Sequence, residues 1–208
     1  DRYPSMEWCE KLAKTAKRTS PPLRLAGHLC GSAVDAVLKG DVRFVKETLV
    51  PWGFRRVQLN ATKRNGCGAD LSDAACGFSV LRACEQVPEV EWIVQANDET
   101  EPLWRRVVGG RPRKLSLLWD SSCGAGVKLD PEKMVVHDNE RVGYAGGLNP
   151  SNIVETLLSL RANPSVSGSS IWIDMESGLR SSYEGKERFD VNKAWAVCAA
   201  IDDVGWDQ

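Results

Sequence analysis

The sequence predicts a parallel α/β protein and, within that class, a (β/α)8 TIM barrel with parallel strands and outer helices, of which this chain carries six strands. Three observations point there. Short β-type runs alternate with segments of helical period at start-to-start spacings of roughly 25 to 35 residues, the scale of one strand–helix unit, and such alternation builds a parallel sheet covered by helices. No GxGxxG follows the first run, which disfavours an open dinucleotide-binding sheet. The glycine-rich strand ends fall late in the chain, where barrels commonly hold a phosphate.

Residues 5–17 read as an opening helix, with Ser5 as N-cap and Trp8, Leu12 and Ala16 on its apolar face. Strands are then expected at 23–29, 55–59, 91–96, 115–119, 141–145 and 170–173. Helical segments are expected at 33–49, 70–86, 101–108, briefly near 130–134, and at 151–160 and 190–201. The stretch 60–70 reads as a lid or an exposed connection, 165–169 as a polar turn and 181–188 as a charged loop. Trp119 and Trp172 fit strand positions, whereas Trp8, Trp104 and Trp195 fit apolar helix faces expected in the core.

A length of 208 residues suits one domain with a sizeable core, so 1–208 is read as a single domain. With 42% hydrophobic and 26% charged residues the composition is that of a globular protein. No apolar stretch is long enough to span a membrane, no signal peptide is legible, and the formal charge of -1 gives no pull toward nucleic acid. Seven cysteines are odd in number and lack CxxC pairs or a histidine cluster, a pattern that fits reduced thiols in the cytoplasm better than disulfides or a metal site. Cys76, Cys84 and Cys198 fall in helical segments as small core residues. Neither a cofactor nor a metal is implied, and the oligomeric state is not legible.

Two short segments concentrate the chemistry. At Gly146-Gly147-Leu148-Asn149-Pro150, and again at Asp174-Met175-Glu176-Ser177-Gly178, an apolar run ends in small residues. Glycines there let backbone approach a ligand, and free N–H groups ahead of a helix favour an anion. Gly146, Gly147, Leu148, Ser177 and Gly178 are therefore candidate phosphate ligands, with Asp174 as a sugar-hydroxyl acceptor. The alternative is a tight helix start with Asn149 as cap and Pro150 at the first helical position, which does not require two glycines before it.

The segment from Tyr144 to Ile153 resembles the seventh strand and turn of phosphoribosylanthranilate isomerases, the (β/α)8 barrels of tryptophan biosynthesis. Ile173 to Ser181 is similar to their eighth strand. Leu117-Leu118-Trp119-Asp120, with the glycine loop Gly124-Ala125-Gly126, resembles the sixth, and Val57-Gln58-Leu59 the fourth, with Asn60 in place of the family's histidine. On this register the chain holds strands three to eight, and is expected to be a fragment or to begin inside the barrel.

The resemblance implies an Amadori rearrangement of an N-linked phosphoribosyl sugar, an aldose-to-ketose isomerisation run by a general acid and a general base. Asp120 takes the acid's place; on the plainer reading it caps the next turn or pairs with Lys128. The family's basic cysteine, at the end of its first strand, has no counterpart. Cys30 in His28-Leu29-Cys30-Gly31 and Cys123 just after Asp120 stand at strand ends where a substitute would lie, or are simply small residues. His28 alternates onto the face of Cys30, either as a thiol–imidazole couple or as packing. Gly124 and Gly126 join the candidate phosphate ligands through their loop. Two other functions fit the same residues: a noncatalytic phosphate-ligand-binding relative, and a barrel lyase or synthase acting on another phosphorylated substrate.

Overall fold

The computed structural model describes residues 4–120, 141–166 and 171–205. Ser5 starts the first helix, α1 (Met6–Ala16), by accepting the Trp8 N–H on its hydroxyl at 3.3 Å. The helix buries Ala13 and Ala16 and leaves Trp8 53% exposed, so the apolar face lies one residue round from the expected one.

Strands β1 (Leu25–Leu29), β2 (Phe54–Leu59), β3 (Glu91–Ala96), β4 (Leu115–Asp120), β5 (Arg141–Ala145) and β6 (Ile171–Asp174) form one sheet in chain order. This is the parallel architecture that the alternation predicts, and β3 and β5 carry the expected bounds. Between the strands run α2 (Ser32–Leu38), α3 (Val50–Trp52), α4 (Ala74–Gln86), α5 (Glu101–Gly109) and α6 (Ile153–Ala162). After β6 come a hairpin, β7 (Arg180–Tyr183) with β8 (Lys186–Phe189), and α7 (Val191–Asp203). The expected helix at 130–134 lies outside the described residues. No helix among the described residues is long and apolar enough to cross a membrane.

The chain divides into two compact units, Asp1–Gln95 with Glu99–Ser116, and Ala96–Asp98 with Leu117–Gln208. In the first, parallel register sets Gly27 beside Val57 and Leu29 beside Leu59, then Val57 beside Trp92 and Leu59 beside Val94. All six are buried, because alternate residues of a strand share one face and this face meets the helices. The other face is polar: His28 pairs with Gln58, and Arg56 with Glu91. Small residues bring α4 and α5 together, since a Cβ on Gly77 would come within 2.7 Å of Arg106 Cδ.

Two expectations in this unit are corrected and a third is refined. The helix expected over 33–49 breaks after α2, where Gly40 adopts a φ of 87° and Asp41 Oδ1 accepts the Arg43 N–H; a π-helical turn, Val45–Leu49, then leads into α3. Helix α4 starts at Ala74 rather than 70, because Asp70 turns onto the Ser72 N–H and Asp73 caps at the Ala75 N–H. The stretch 60–70, expected as a lid or an exposed connection, is exposed at Lys63, Arg64, Gly66, Gly68 and Asp70 but anchored between them. Asn60, Ala61, Thr62 and Cys67 are buried, and the Asp35 carboxylate accepts from the N–H groups of Gly68 and Ala69 and from the Cys67 thiol.

The second unit has one core, built from Val142, Tyr144, Leu148, Ile153, Leu157, Leu160, Val166 and Val197, with Trp119, Ile171 and Ile173 packed on it. Residues 181–188, expected as a loop, form the β7–β8 hairpin. Its two-residue turn, Glu184-Gly185, holds φ of 50° and 74°, the left-handed pair that a twisted hairpin favours. Asp190 ties hairpin to helix: its carboxylate accepts from the Ser181 hydroxyl at 2.7 Å and from the Asn192 and Lys193 N–H groups. Those donors, the hydroxyl first, hold its carboxyl below the usual range. Trp195, expected in the core, is 76% exposed, and Cys198 is exposed as well; only Val197 of α7 is buried.

Tyr144 is fully buried and its hydroxyl has no partner among the described residues. Burial pushes it up from 10.0 to about 12. A folded value above the unfolded one gives stability that is intact below pH 10 and lost as pH rises toward 12. Tyr144→Phe removes a polar group buried at a cost of about 1 kcal/mol or more, so urea unfolding should show equal or higher stability at pH 7 and a shallower loss from pH 10 to 12. A variant more than 1 kcal/mol less stable at neutral pH would show that the hydroxyl has a partner.

Candidate functional site

The β5–α6 loop is built around one carbonyl. Gly146 and Gly147 adopt φ of 132° and 56°, conformations that side chains resist, and turn the chain sharply off the strand. The Gly147 carbonyl then accepts from Asn149 Nδ2 at 3.1 Å and Asn152 Nδ2 at 2.9 Å. Carbonyl and N–H of one trans peptide point in opposite directions, so two amides holding the Gly147 oxygen turn the Leu148 N–H the other way. Neither the Gly147 nor the Leu148 N–H hydrogen-bonds within the described residues, although Leu148 is only 3% exposed. The sequence thus places two unclaimed donors at a strand end, an arrangement suited to an anion.

The plain helix-start reading accounts for part of this loop and misplaces the rest. Asn149 does cap, but its Oδ1 accepts from Ser151 in a turn ahead of the helix, and α6 begins at Ile153 rather than 151. Asn152 serves the cradle instead: its Oδ1 accepts the Asn149 N–H and its Nδ2 holds the Gly147 carbonyl. Sequence reading passed over Asn152; the signal was a second amide three residues after Asn149.

The turn after β6 rests on this loop. A side chain at Gly178 would overlap the Leu148 carbonyl oxygen and come within 2.9 Å of Asn149 Cβ, so Gly178 is needed for contact between loops rather than as a donor alone. Ser177 opens the 3-10 turn Ser177–Leu179 beside it. Parallel register sets Asp174 beside Ala145, one residue before Gly146. Trp119 packs toward the helices, so Asp120, next along the strand, belongs to the opposite face; it is 8% exposed. Ile173 also packs toward the helices, which gives Asp174 that same opposite face. Cys123, Gly124 and Gly126 lie outside the described residues.

In the first unit, Cys30 and His28 are linked, but not as a couple. The Gln58 amide nitrogen sits 3.0 Å from His28 Nε2 and donates to Asn60 Oδ1 at 2.8 Å, and Asn60 Nδ2 donates to Cys30 Sγ at 3.5 Å. His28 Nε2 thus faces an amide nitrogen rather than the thiol. Two amides therefore stand where the sequence suggested a thiol–imidazole pair. Asn60, at 2% exposure, is the buried centre of the row.

No family profile and no curated protein sequence matches the chain. Among solved structures it is similar to 3-hexulose-6-phosphate synthase from Salmonella typhimurium, with TM-score 0.55 and 13% identity over 94% of this chain and 80% of that one. The fold is that of a (β/α) barrel. At this identity the likeness bears on fold alone and does not single out the isomerase family that the motifs resemble. A designed cube-shaped protein cage aligns with TM-score 0.30 and 14% identity over 88% of this chain, too low to inform the fold.

Gly178→Ala is expected to part the two loops, destabilising the protein by about 2 kcal/mol or more and weakening anion binding in parallel. Thermal unfolding and phosphate calorimetry on one preparation check both; a variant of wild-type stability would mean that the loops do not touch.

Proposed function

We propose that this protein binds a phosphorylated sugar through its β5–α6 loop and isomerises an N-linked phosphoribosyl substrate from aldose to ketose. The observation that carries the reading is the Gly147–Leu148 peptide, whose carbonyl is held by two asparagines while its N–H faces away with no partner among the described residues. The barrel fold supports it, because barrels commonly bind phosphate at their last strand ends. So does the similarity to an enzyme named for a sugar phosphate.

In this reading Gly146, Gly147, Leu148, Ser177 and Gly178 receive the phosphate, with Gly124 and Gly126 proposed as further ligands, and Asp174 accepts from a sugar hydroxyl. Asp120, buried at its strand end, is the general acid. It gives a proton to the ribose ring oxygen as the C1–O bond breaks and the nitrogen lone pair forms C1=N. A base then takes the C2 proton, the electrons neutralise the nitrogen, and the enolamine tautomerises to the 2-ketose. Cys30 and Cys123 are the thiols to test as that base. A synthase or lyase acting on another phosphosugar is the second reading, favoured by the synthase likeness.

Freshly made phosphoribosylanthranilate, followed by the loss of its fluorescence, tests the proposal. Wild-type turnover should fall about a hundredfold or more in Asp120→Asn, the scale of a lost general acid, and Cys30→Ser and Cys123→Ser should show which thiol takes the proton. In the double variant Gly146→Ala/Gly147→Ala, phosphate affinity should drop at least about tenfold in calorimetry. Unchanged affinity there sinks the cradle. Retained phosphate binding without turnover rejects the isomerase and leaves the second reading or a noncatalytic phosphate-binding relative.

A further inference from the structure

We propose that the outward side of α7 is a docking surface for a second copy of this chain, with the two α7 helices packed antiparallel about a two-fold axis. Val191, Trp195 and Cys198 stand four and then three residues apart, so they share one side of the helix. Val191 is 69% and Trp195 76% exposed, and Ala196, Cys198 and Ala199 are exposed with them. The other side is already packed: Val197 is buried in the core of the second unit, with Ala200, Ile201 and Val204 against that core. A helix apolar on both sides is a helix that lies buried, and an exposed apolar patch marks an interaction surface.

Charge selects the occupant and its direction. The last turn of α7 holds Asp202 and Asp203, both exposed, and no basic residue, although a helix C-terminus favours cations. A basic face stands at the other end. Alternation along the β7–β8 hairpin puts Ser181, Tyr183, Lys186 and Arg188 on one side, where the Arg188 guanidinium lies over the Tyr183 ring at 5.3 Å. Ser181 of that side bonds to Asp190, the cap of α7, so the basic face adjoins the start of the helix. Cations and carboxylates thus flank the stripe at opposite ends, about 20 Å apart along the helix.

Antiparallel pairing sets Lys186 and Arg188 of each copy against Asp202 and Asp203 of the other, and each Trp195 beside Cys198 of the other. Parallel pairing would oppose like charges, and a lipid surface would leave the two carboxylates without cations. The area also fits. A covered tryptophan buries about 150 to 250 Å², so Val191, Trp195, Tyr183 and their neighbours on two copies approach the roughly 1,200 Å² of the smaller stable interfaces. A dimer of about micromolar affinity is expected.

Sedimentation equilibrium of the full chain from about 1 to 200 µM, a range that brackets this affinity, should show reversible doubling of the mass. Trp195→Ser should weaken association at least about tenfold with an unchanged circular dichroism spectrum. The charge variants carry the test if that protein does not fold. Asp202→Lys/Asp203→Lys suits the helix C-terminus, and Lys186→Glu/Arg188→Glu alters exposed positions, so both should fold. Each alone should be monomeric, because each opposes like charges with itself, and an equimolar mixture of the two should recover the dimer. A wild type that stays monomeric throughout overturns the proposal, as does a mixture that fails to pair or a Trp195→Ser variant that dimerises like the wild type. A monomeric wild type that sediments with phosphatidylcholine vesicles through Trp195 assigns the surface to a membrane and overturns it too.

Discussion

The second unit depends on a close approach of two loops. The Leu148 carbonyl lies so near the Gly178 backbone that no side chain fits between them. The loop that supplies this carbonyl is held from the other side by Asn149 and Asn152 on the adjacent Gly147 oxygen. Two glycines in conformations that side chains resist, two amides and one excluded Cβ thus define the path of a few residues. Ordering such a loop costs conformational entropy during folding. A loop ordered in advance does not pay that cost again when a ligand arrives, which is why preorganised donors bind better than mobile ones.

The strands obey a second constraint. One face of each is apolar and covered by helices, so polar residues collect on the other. In the first unit these form connected rows: Arg56 makes a paired contact with Glu91 at 3.1 and 3.2 Å, and Glu91 also accepts from Ser116; His28, Gln58, Asn60 and Cys30 make the next row. A half-buried ion pair survives where its remaining oxygens are hydrogen-bonded, and Ser116 does that for Glu91. The amide row joins the His28 ring to the Cys30 thiol through two side-chain amides.

Most of the architecture was legible because strand and helix periods differ. Short runs such as Glu-Trp-Ile-Val-Gln-Ala, set between segments of helical period, read as parallel strands, and β3 and β5 fell on their expected bounds. The breaks were harder to read, since each depends on one side chain finding one backbone group: Asp41 beside Gly40, Asp73 ahead of α4, Asn152 ahead of α6. The hairpin was hidden by composition, because Ser181-Ser182-Tyr183-Glu184-Gly185-Lys186 reads as a charged loop although Glu184-Gly185 supplies a left-handed turn. Trp195 and Cys198 misled for another reason. A 13-residue helix with many apolar positions does not reveal which of its faces is covered, and here only Val197 is buried. At the site, the glycines and Asn149 announced a tight loop, but the capture of the Gly147 carbonyl needed coordinates.

In the proposed site, recognition of an anion would rest on geometry more than on charge. Two cations after β6 are already engaged: Lys193 Nζ donates to the Arg180 carbonyl at 2.5 Å, and the Arg180 guanidinium donates to the Glu187 carbonyl at 3.0 Å. Asp174 and Glu176 lie next to the same turn, and their charges oppose a bare anion approaching from solvent. Backbone N–H groups lose none of their dipole to such neighbours, but they act over short range and only in the right direction. On the proposed reading, the combination would favour a ligand that presents phosphate oxygens to the Gly147–Leu148 loop and a hydroxyl donor to Asp174, because the hydroxyl turns an unfavourable carboxylate into a hydrogen-bond acceptor. A sugar phosphate satisfies both demands with one molecule, whereas inorganic phosphate meets the first and is repelled by the second.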